Sequence, residues 1–235
     1  QRQRRRPIVG GISISPLNAD FVGTLGCFVR RVTAGGTQQI FALSNNHVLA
    51  DVDRLPIGTR IVQPGPETGP TQTADLFARL HTVIPIRFPA GGQPVANRFD
   101  AAIATVTDQN LIRRGNMFGI NNYDPARIAA PRPGMRVVKC GRTTGVTRGV
   151  VTATNVQGVN INYGTQQQPR ITTFTDTVSI RNPGGPSFSR PGDSGSVILE
   201  EATGRPVALL FAGDGTTTTA CEFGPLCTRL RIFPV

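Results

Sequence analysis

The sequence contains no tryptophan, and aromatic residues make up only 6% of its 235 residues. It also lacks any apolar run as long as the roughly 18 residues that a transmembrane helix requires, so we expect no membrane span. Charged residues amount to 17% and hydrophobic residues to 38%, which excludes a charge-rich disordered chain. The core must therefore be built mainly from Val, Ile, Leu and Ala.

Long helices are not expected either. The chain contains 27 Gly and 19 Pro, and the interior of a helix tolerates neither residue well. Short apolar runs separated by Gly, Pro, Asn and Asp are typical of short strands joined by turns. The composition therefore predicts an all-β fold.

Acidic residues are few: 14 Asp and Glu face 25 Lys and Arg, for a net charge of +11. A single one of these cations is a lysine, Lys139. The positive charge is spread along the chain apart from an arginine run at residues 2–6, and no basic stripe with interleaved aromatics favours nucleic-acid binding. We interpret residues 1–7 as a basic tail or linker, with a processing site or a linked or removed upstream domain as alternatives. No signal peptide and no compartment are predicted.

The four cysteines, Cys27, Cys140, Cys221 and Cys227, match no CxxC metal or redox motif. Cys27 and Cys140 lie in apolar, strand-like segments and are interpreted as small buried hydrophobic residues. Cys221 and Cys227 are near enough in sequence to close a short disulfide loop in an oxidising compartment. No His, Asp or Glu cluster has ligand spacing, so we expect no metal ion and no cofactor.

Strand-like segments fall into two groups, separated by a less patterned stretch at residues 107–134 that contains three prolines. The predicted strands are residues 8–14, 24–31, 40–44, 61–63, 77–83 and 101–106, followed by 136–140, 149–155, 159–163, 172–180, 196–200, 207–211 and 229–233. This order predicts two consecutive six-stranded antiparallel β-barrels, residues 8–115 and 135–235, joined by a connector at residues 116–134. Little helix is expected outside the connector.

Residues 191–196, Pro-Gly-Asp-Ser-Gly-Ser, place Ser194 in a glycine-rich turn. A serine hydroxyl is a poor nucleophile unless it is exposed, rigidly held and paired with a base. Glycine permits backbone conformations in which the N–H groups of Gly192 and Ser194 converge on one point. Two converging N–H groups bind the negative oxygen that forms when a carbonyl is attacked. A plain surface turn is the alternative interpretation.

Two further residues provide candidates for the base and its partner. His47, one of two histidines, follows a strand-like run and lies between apolar residues, whereas His81 has no motif around it. Asp100 stands just before a small apolar strand, where an acidic side chain needs a partner unless it belongs to a surface turn. Because His47 and Asp100 belong to the first group of strands and Ser194 to the second, the three would meet in the cleft between the two barrels.

The order His47, Asp100, Ser194, their spacing and the Gly-Asp-Ser-Gly turn resemble the chymotrypsin-like (trypsin-like) serine peptidases over residues 8–235. Residues 140–145, Cys-Gly-Arg-Thr-Thr-Gly, followed by Gly-Val-Val at 149–151, are similar to the bacterial, streptogrisin-like members. The resemblance implies a serine endopeptidase that cleaves polypeptides through an acyl-enzyme on Ser194. A catalytically inactive scaffold that serves as a protein-binding module is the alternative.

The resemblance also implies a role for each residue. His47 would be the general base, Asp100 would orient it, and the N–H groups of Gly192 and Ser194 would form the oxyanion hole. The strand carrying Phe211, Ala212 and Gly213 would pair with the substrate backbone.

Several positions depart from the family pattern. Asn45 and Asn46 stand where many relatives have small residues, and Ser196 replaces a third glycine. Phe211 occupies the position of a serine that contacts the aspartate, so we expect Asp100 to need another donor.

The resemblance places Phe188 at the floor of the S1 pocket, where no acidic residue is present to receive Arg or Lys. Phe188 favours an apolar or small P1 residue, whereas the neighbouring Arg190 favours an acidic one. Both alternatives predict a non-basic P1 residue.

Residues 8–11, Ile-Val-Gly-Gly, match the motif whose freed N-terminus pairs in trypsins with the aspartate before the nucleophile, here Asp193. Pro7 precedes Ile8, and an arginine-cutting activator does not cleave after proline. We therefore interpret the segment as a first strand with a Gly-Gly bend.

Overall fold

The computed structural model of the protein describes residues 1–32, 35–66, 72–91 and 93–235. Strands account for 44% of the structure and helices for 8%, which confirms the all-β prediction. No helix in these ranges is long and apolar enough to cross a membrane.

The first half of the chain contributes short strands and one helical turn. The elements are β1 (Ile8–Gly10), β2 (Ser13–Pro16), β3 (Gly23–Thr24), β4 (Cys27–Val32), β5 (Gln38–Ser44), α1 (Asn46–Leu49), β6 (Arg60–Val62), β7 (Leu76–Val83), β8 (Ala96–Asn97), β9 (Ala102–Val106) and β10 (Ile112–Met117). Two 3₁₀ turns, Thr73–Asp75 and Gln109–Leu111, precede β7 and β10.

The second half contributes longer strands and one helix near the chain end. The elements are β11 (Arg136–Gly141), β12 (Gly145–Val156), β13 (Val159–Asn162), β14 (Ile171–Phe174), β15 (Thr177–Arg181), β16 (Val197–Glu200), β17 (Pro206–Gly213), β18 (Thr218–Glu222), α2 (Phe223–Leu230) and β19 (Phe233–Pro234).

Six strands of the second half close into an antiparallel barrel in the order β11-β12-β15-β18-β17-β16, as predicted. The first half forms a curled eight-stranded sheet in the order β19-β4-β5-β9-β7-β6-β2-β3, whose two end strands are not hydrogen-bonded to each other. The two-barrel architecture is therefore confirmed in outline. The first barrel differs from the predicted six-stranded ring because β19, from the other end of the chain, occupies one of its edges through pairing with β4.

Two segments differ from the predicted strands. The predicted strand at residues 229–233 is wrong for its first residues, because Arg229 and Leu230 end α2. The buried residues of α2 recur at helical spacing (Phe223, Leu226, Cys227 and Leu230), and its Pro225 lies in the first turn, where proline is tolerated. Part of the predicted connector is also strand, because β10 pairs in parallel with β1.

The N-terminal segment, residues 1–7, lies along the protein surface. The Arg4 guanidinium is 2.7 Å from the Asp75 carboxylate, and the Arg5 guanidinium stacks 4.4 Å from the centre of the Phe118 ring. The carbonyl of Gln1 accepts a hydrogen bond from the Ser13 N–H at 2.9 Å. The segment therefore has contacts of its own, while the division of the chain after residues 7, 115 and 134 stays a prediction.

One apolar cluster joins the two halves. It includes Val29 and Phe41 from the first sheet together with Val138, Leu209 and Phe211 from the barrel, all at most 4% exposed. Because interiors are close-packed, this shared core holds the facing edges of the two halves in a fixed relation. The candidate site lies along that boundary.

Candidate active site

A cleft of about 650 Å³ lies where the two halves meet. His47 lines it from the first half, and Ser194 lines it from the second. Tyr163, Ser189, Arg190 and the segment from Phe211 to Gly213 contribute further walls. The structure thus brings the predicted base and the predicted nucleophile to one cavity.

The single helical turn α1 holds His47 at the end of β5. The side chain of Asn45 donates to the backbone carbonyl of Asp100 at 2.7 Å. The side chain of Asn46 donates to the carboxylate of Asp53 at 2.6 Å and to the carbonyl of Ile84 at 2.8 Å. Both asparagines that depart from the family pattern therefore tie this turn to neighbouring segments of the first sheet.

His47 and Asp100 are in direct contact. The imidazole Nδ1 lies 2.5 Å from Oδ2 of Asp100, and the backbone N–H of His47 donates to Oδ1 at 3.2 Å. Asp100 is completely buried, whereas the His47 side chain is 22% exposed. This contact fixes the proton of a neutral imidazole on Nδ1, which leaves Nε2 free to accept a proton.

Tyr163, which was not predicted from the sequence, donates its hydroxyl hydrogen to Oδ2 of Asp100 at 2.7 Å. Tyr163 follows β13 and therefore reaches Asp100 from the other half of the molecule. Burial and the charge of Asp100 raise the pKa of the Tyr163 phenol well above its ordinary value. The position of Phe211 predicted the need for a donor, but no local pattern indicated which residue supplies it.

The turn that carries Ser194 needs glycine at two places. Gly192 and Gly195 have φ angles of +95° and +92°, in the region that disfavours other residues. A side chain at Gly195 would collide with the hydroxyl of Ser44 and the carbonyl of Thr24. The turn is also anchored to the first half, because the N–H of Thr24 donates to the carbonyl of Ser194 at 2.8 Å.

The polar groups at the head of this turn remain available. Within the described ranges, no backbone carbonyl accepts from the N–H of Gly192 or Ser194, and no hydrogen bond joins the Ser194 hydroxyl to His47. Catalytic hydrogen bonds often tighten only when substrate is present. The N–H groups of the two predicted oxyanion donors are therefore not taken up by backbone carbonyls in the described ranges.

Asp193 is completely buried next to Ser194 and is held by Lys139, which is also completely buried. Five groups donate to its carboxylate: Lys139 Nζ at 3.2 Å, the N–H groups of Thr143 at 2.8 Å, Thr144 at 3.1 Å and Arg190 at 3.0 Å, and the Thr144 hydroxyl at 2.7 Å. Burial lowers the pKa of the Lys139 ammonium, and the charge of Asp193 opposes that change. The pair was not predicted from the sequence, although one feature there indicates it: Lys139 is an isolated lysine within the apolar strand at residues 136–140.

Residues 8–11 behave as a strand with a bend and not as a freed N-terminus. Ile8 is completely buried in β1, and Gly11 has a φ of +82° next to the side chain of Cys140. Because Lys139 occupies the position beside Asp193, the cation that a freed amine would bring is already present.

The residues predicted to bind substrate lie in different places. Phe188 is 1% exposed, its ring lies 5.7 Å from Lys139 Nζ in the barrel core, and it does not line the cleft. Its neighbours Ser189 and Arg190 do line the cleft. Phe211 reaches the cleft but is mostly buried, with its ring 4.6 Å from that of Phe174.

The other candidate residues lie outside the site. His81 is exposed, with its ring 5.0 Å from that of Phe41. All four cysteines are buried with free thiols, so Cys27 and Cys140 are the small buried residues that were predicted. Burial raises the pKa of Cys27, Cys140 and Cys221 to about 12. In the part of the chain that the structure describes, no group of His, Cys, Asp and Glu has the arrangement of a metal site.

No protein-family model and no curated protein matches the chain. Solved structures do match. Thermobifida fusca protease A aligns with a TM-score of 0.61 at 16% identity, over 97% of this chain and 98% of that one. Cellulomonas bogoriensis chymotrypsin aligns with a TM-score of 0.62 at 17% identity, over 97% and 98%. A glutamic acid-specific serine protease aligns with a TM-score of 0.60 at 17% identity, over 97% and 100%.

At these identities the similarity defines the fold. The chain has the two-barrel fold of the bacterial chymotrypsin-like serine proteases.

Proposed function

We propose that the protein is a serine endopeptidase. The observation that carries the proposal is the contact of 2.5 Å between Nδ1 of His47 and the fully buried carboxylate of Asp100, at a cleft that Ser194 also lines. A buried carboxylate that orients an imidazole beside a serine on a glycine turn is the arrangement needed to activate a hydroxyl nucleophile. The fold supports the same conclusion, because the neighbours named above are serine proteases.

Acyl transfer proceeds in two steps at this site. The Ser194 oxygen attacks the scissile carbonyl while its proton passes to Nε2 of His47, and the imidazolium returns that proton to the leaving amine. Asp100 stabilises the imidazolium without itself taking the proton. Water then attacks the acyl carbonyl while its proton passes to Nε2 of His47, and the imidazolium returns that proton to the Ser194 oxygen as the bond between it and the acid product breaks.

The turn around Ser194 stabilises the charge that develops on the substrate oxygen. The N–H groups of Gly192 and Ser194 donate to the oxyanion, and preorganised donors of this kind are worth roughly 10²–10³ in kcat each. Their orientation depends on the Asp193 carboxylate, whose bonds to Lys139 and to the backbone at Thr143 hold the turn from behind.

The substrate backbone pairs with the segment from Phe211 to Gly213, and the P1 side chain enters the space beside Ser189 and Arg190. The Ser189 hydroxyl is 2.7 Å from that of Thr218, so the pocket wall is polar and uncharged there. The Asp214 carboxylate also lines the cleft, where it accepts the N–H groups of Thr217 at 2.7 Å and Thr216 at 2.8 Å, which lower its pKa. Because Ser189 is uncharged and Arg190 brings a positive charge to the space for the P1 side chain, we expect a non-basic P1 residue.

Profiling with a peptide library tests the P1 preference. We expect cleavage after uncharged or acidic residues. Strict cleavage after Arg or Lys would contradict the assignment of this pocket.

A fluorophosphonate probe tests the nucleophile. We expect wild-type protein to become labelled and to cleave peptides, and Ser194→Ala to lose both properties while it unfolds at the same denaturant concentration. Ser187→Ala removes a hydroxyl from the same stretch of chain, where it donates to the carbonyl of Gly215, and should keep both. Wild-type protein that stays unlabelled would identify the molecule as an inactive scaffold of this fold.

A further inference from the structure

A buried carboxylate is useful to a histidine only if its orientation is fixed. Asp100 has no exposed surface, and ionised carboxylate oxygens accept hydrogen bonds without being able to donate them. In the part of the chain that the structure describes, two residues donate to its side chain. His47 donates through its backbone N–H and Nδ1, and Tyr163 donates through its hydroxyl.

Tyr163 is well suited to remain the donor in this pair. Its hydroxyl oxygen lies 2.7 Å from Oδ2, a length typical of a hydrogen bond to a charged acceptor. Because burial and the nearby negative charge both disfavour the phenolate, the hydroxyl keeps its proton. The Phe211 side chain has no group that donates a hydrogen bond, and its ring packs against Phe174.

The position of the Tyr163 ring is set by packing on several sides. Its centroid lies 5.8 Å from that of His47, 6.1 Å from that of Phe88 and 6.2 Å from that of Phe174. The backbone N–H of Tyr163 donates to the carbonyl of Arg170 at 2.9 Å, at the end of the β13–β14 hairpin where its connecting loop begins. A ring held in this way presents its hydroxyl in one direction.

The hairpin is itself bound to the segment that leads into Asp100. Strand β14 pairs in parallel with β8, which places Phe174 opposite Asn97. The Asn97 side chain donates to the hydroxyl of Thr172 at 2.9 Å, and that hydroxyl donates to the carbonyl of Arg87 at 2.6 Å. The hydroxyl of Tyr163 and the carboxylate of Asp100 therefore approach each other through two segments that are hydrogen-bonded together.

We propose that Tyr163 is a positioning residue, which holds the Asp100 carboxylate in the orientation required by His47 through a hydrogen bond from the opposite half of the molecule. The inference rests on the proposed peptidase function for its effect on catalysis, whereas the contact itself is independent of activity. The β13–β14 hairpin then helps to assemble the catalytic residues, because it carries the Tyr163 hydroxyl that donates to Asp100.

Tyr163→Phe removes the hydroxyl and keeps the ring. We expect kcat to fall roughly ten- to hundredfold with KM unchanged, because the lost bond is made to a charged group and acts through Asp100 and not on the substrate. The chain has a second tyrosine, Tyr123, which is also buried but lies beside Cys27 and not in the cleft. Tyr123→Phe is therefore the matched control and should leave kcat and KM as they are.

A proton NMR measurement separates positioning from general destabilisation. The chain has two histidines, so the Nδ1 proton of His47 is assigned in ¹⁵N-histidine-labelled protein with His81→Gln as reference. We expect Tyr163→Phe to displace this resonance and Tyr123→Phe to leave it in place. An unchanged resonance and unchanged kcat in Tyr163→Phe would overturn the inference.

The two proposals fail in different ways. Wild-type protein that does not react with the fluorophosphonate probe refutes the peptidase assignment, yet the NMR comparison still tests the contact between Tyr163 and Asp100. Wild-type protein that reacts, combined with a Tyr163→Phe variant indistinguishable from Tyr123→Phe, refutes only the positioning role.

Discussion

Two completely buried carboxylates flank the cleft, and their surroundings differ. Asp193 forms an ion pair with Lys139 and accepts four further hydrogen bonds from backbone and hydroxyl groups. Asp100 is hydrogen-bonded to an imidazole, its backbone N–H and a phenol. Within the described ranges, no lysine or arginine forms an ion pair with Asp100.

The difference matches two different tasks. The negative charge of Asp193 is balanced by the buried ammonium of Lys139, which suits a structural role behind the Ser194 turn. A carboxylate held by neutral donors keeps its charge available, so it stabilises an imidazolium as soon as one forms on His47. The comparison therefore predicts that removing Asp100 changes catalysis, whereas removing the partner of Asp193 changes stability.

The largest effect is expected for Asp100→Asn. With its oxygen accepting from the backbone N–H of His47, the Asn amide turns its NH₂ group toward Nδ1, which must then accept a hydrogen bond, so the ring proton moves to Nε2 and the imidazole cannot accept the proton of Ser194. We expect kcat to fall roughly 10⁴-fold with little change in the free energy of unfolding. Steady-state kinetics and urea unfolding check both parts.

Asp75→Asn provides the control for Asp100→Asn. It alters another mostly buried carboxylate of the first half, one that pairs with Arg4 away from the cleft, and it should leave kcat unchanged. An Asp100→Asn variant as active as this control would remove Asp100 from the mechanism.

Lys139→Met should destabilise the protein by about 3–5 kcal/mol, because it leaves Asp193 charged and unpaired in the interior. Arg136→Met is the matched control on the same strand. Arg136 pairs with Glu201 at 2.8 Å, but its side chain is 72% exposed, so its loss should leave the free energy of unfolding unchanged. Urea unfolding of wild type, Lys139→Met and Arg136→Met measures how much more the buried ion pair contributes to the free energy of unfolding than the exposed one. Equal stabilities for the two variants would contradict it.

The buried thiol of Cys27 extends the comparison to an acid whose pKa is raised by burial, with no cation among the causes of the change. Burial raises the pKa of Cys27 from 9.0 to about 12, so between these values the folded state binds more protons than the unfolded state. The free energy of unfolding should therefore be highest below about pH 9 and fall above it, by at most about 1.4 kcal/mol per pH unit for each thiol.

Urea unfolding at several pH values between 9 and 11 measures this slope. Cys27→Ala removes one of the four thiols and should give a shallower slope than wild type. Identical slopes would show that Cys27 ionises as readily in the folded protein as in the unfolded chain.

The sequence allowed the local features to be predicted and left the long-range ones open. Alternating and apolar runs predicted most strands, because each depends on neighbouring residues. The edge strand β10 was missed because Arg113, Arg114, Gly115 and Asn116 are exposed and give no apolar pattern. Helix α2 was missed because Gly224 and Pro225 near its start are typical of a turn.

In the candidate site, too, the features that depend on local sequence were predicted and those that depend on long-range contacts were not. The glycines around Ser194 and the contact partners His47 and Asp100 were predicted from motif and order. Tyr163 was not, because it lies 63 residues from Asp100 and reaches it only through the pairing of β14 with β8. Phe188 shows the opposite error: its position in the sequence suggested the pocket floor, yet its ring turns into the barrel core.

The pairing of β19 with β4 bears on how the molecule is made. During synthesis a ribosome delivers β4 long before β19, so one margin of the first sheet stays uncovered until translation has passed residue 234. An unpaired edge strand exposes backbone N–H and C=O groups that can pair with another chain, which promotes aggregation. We therefore expect the nascent first half, before β19 is available, to aggregate more readily than the complete chain.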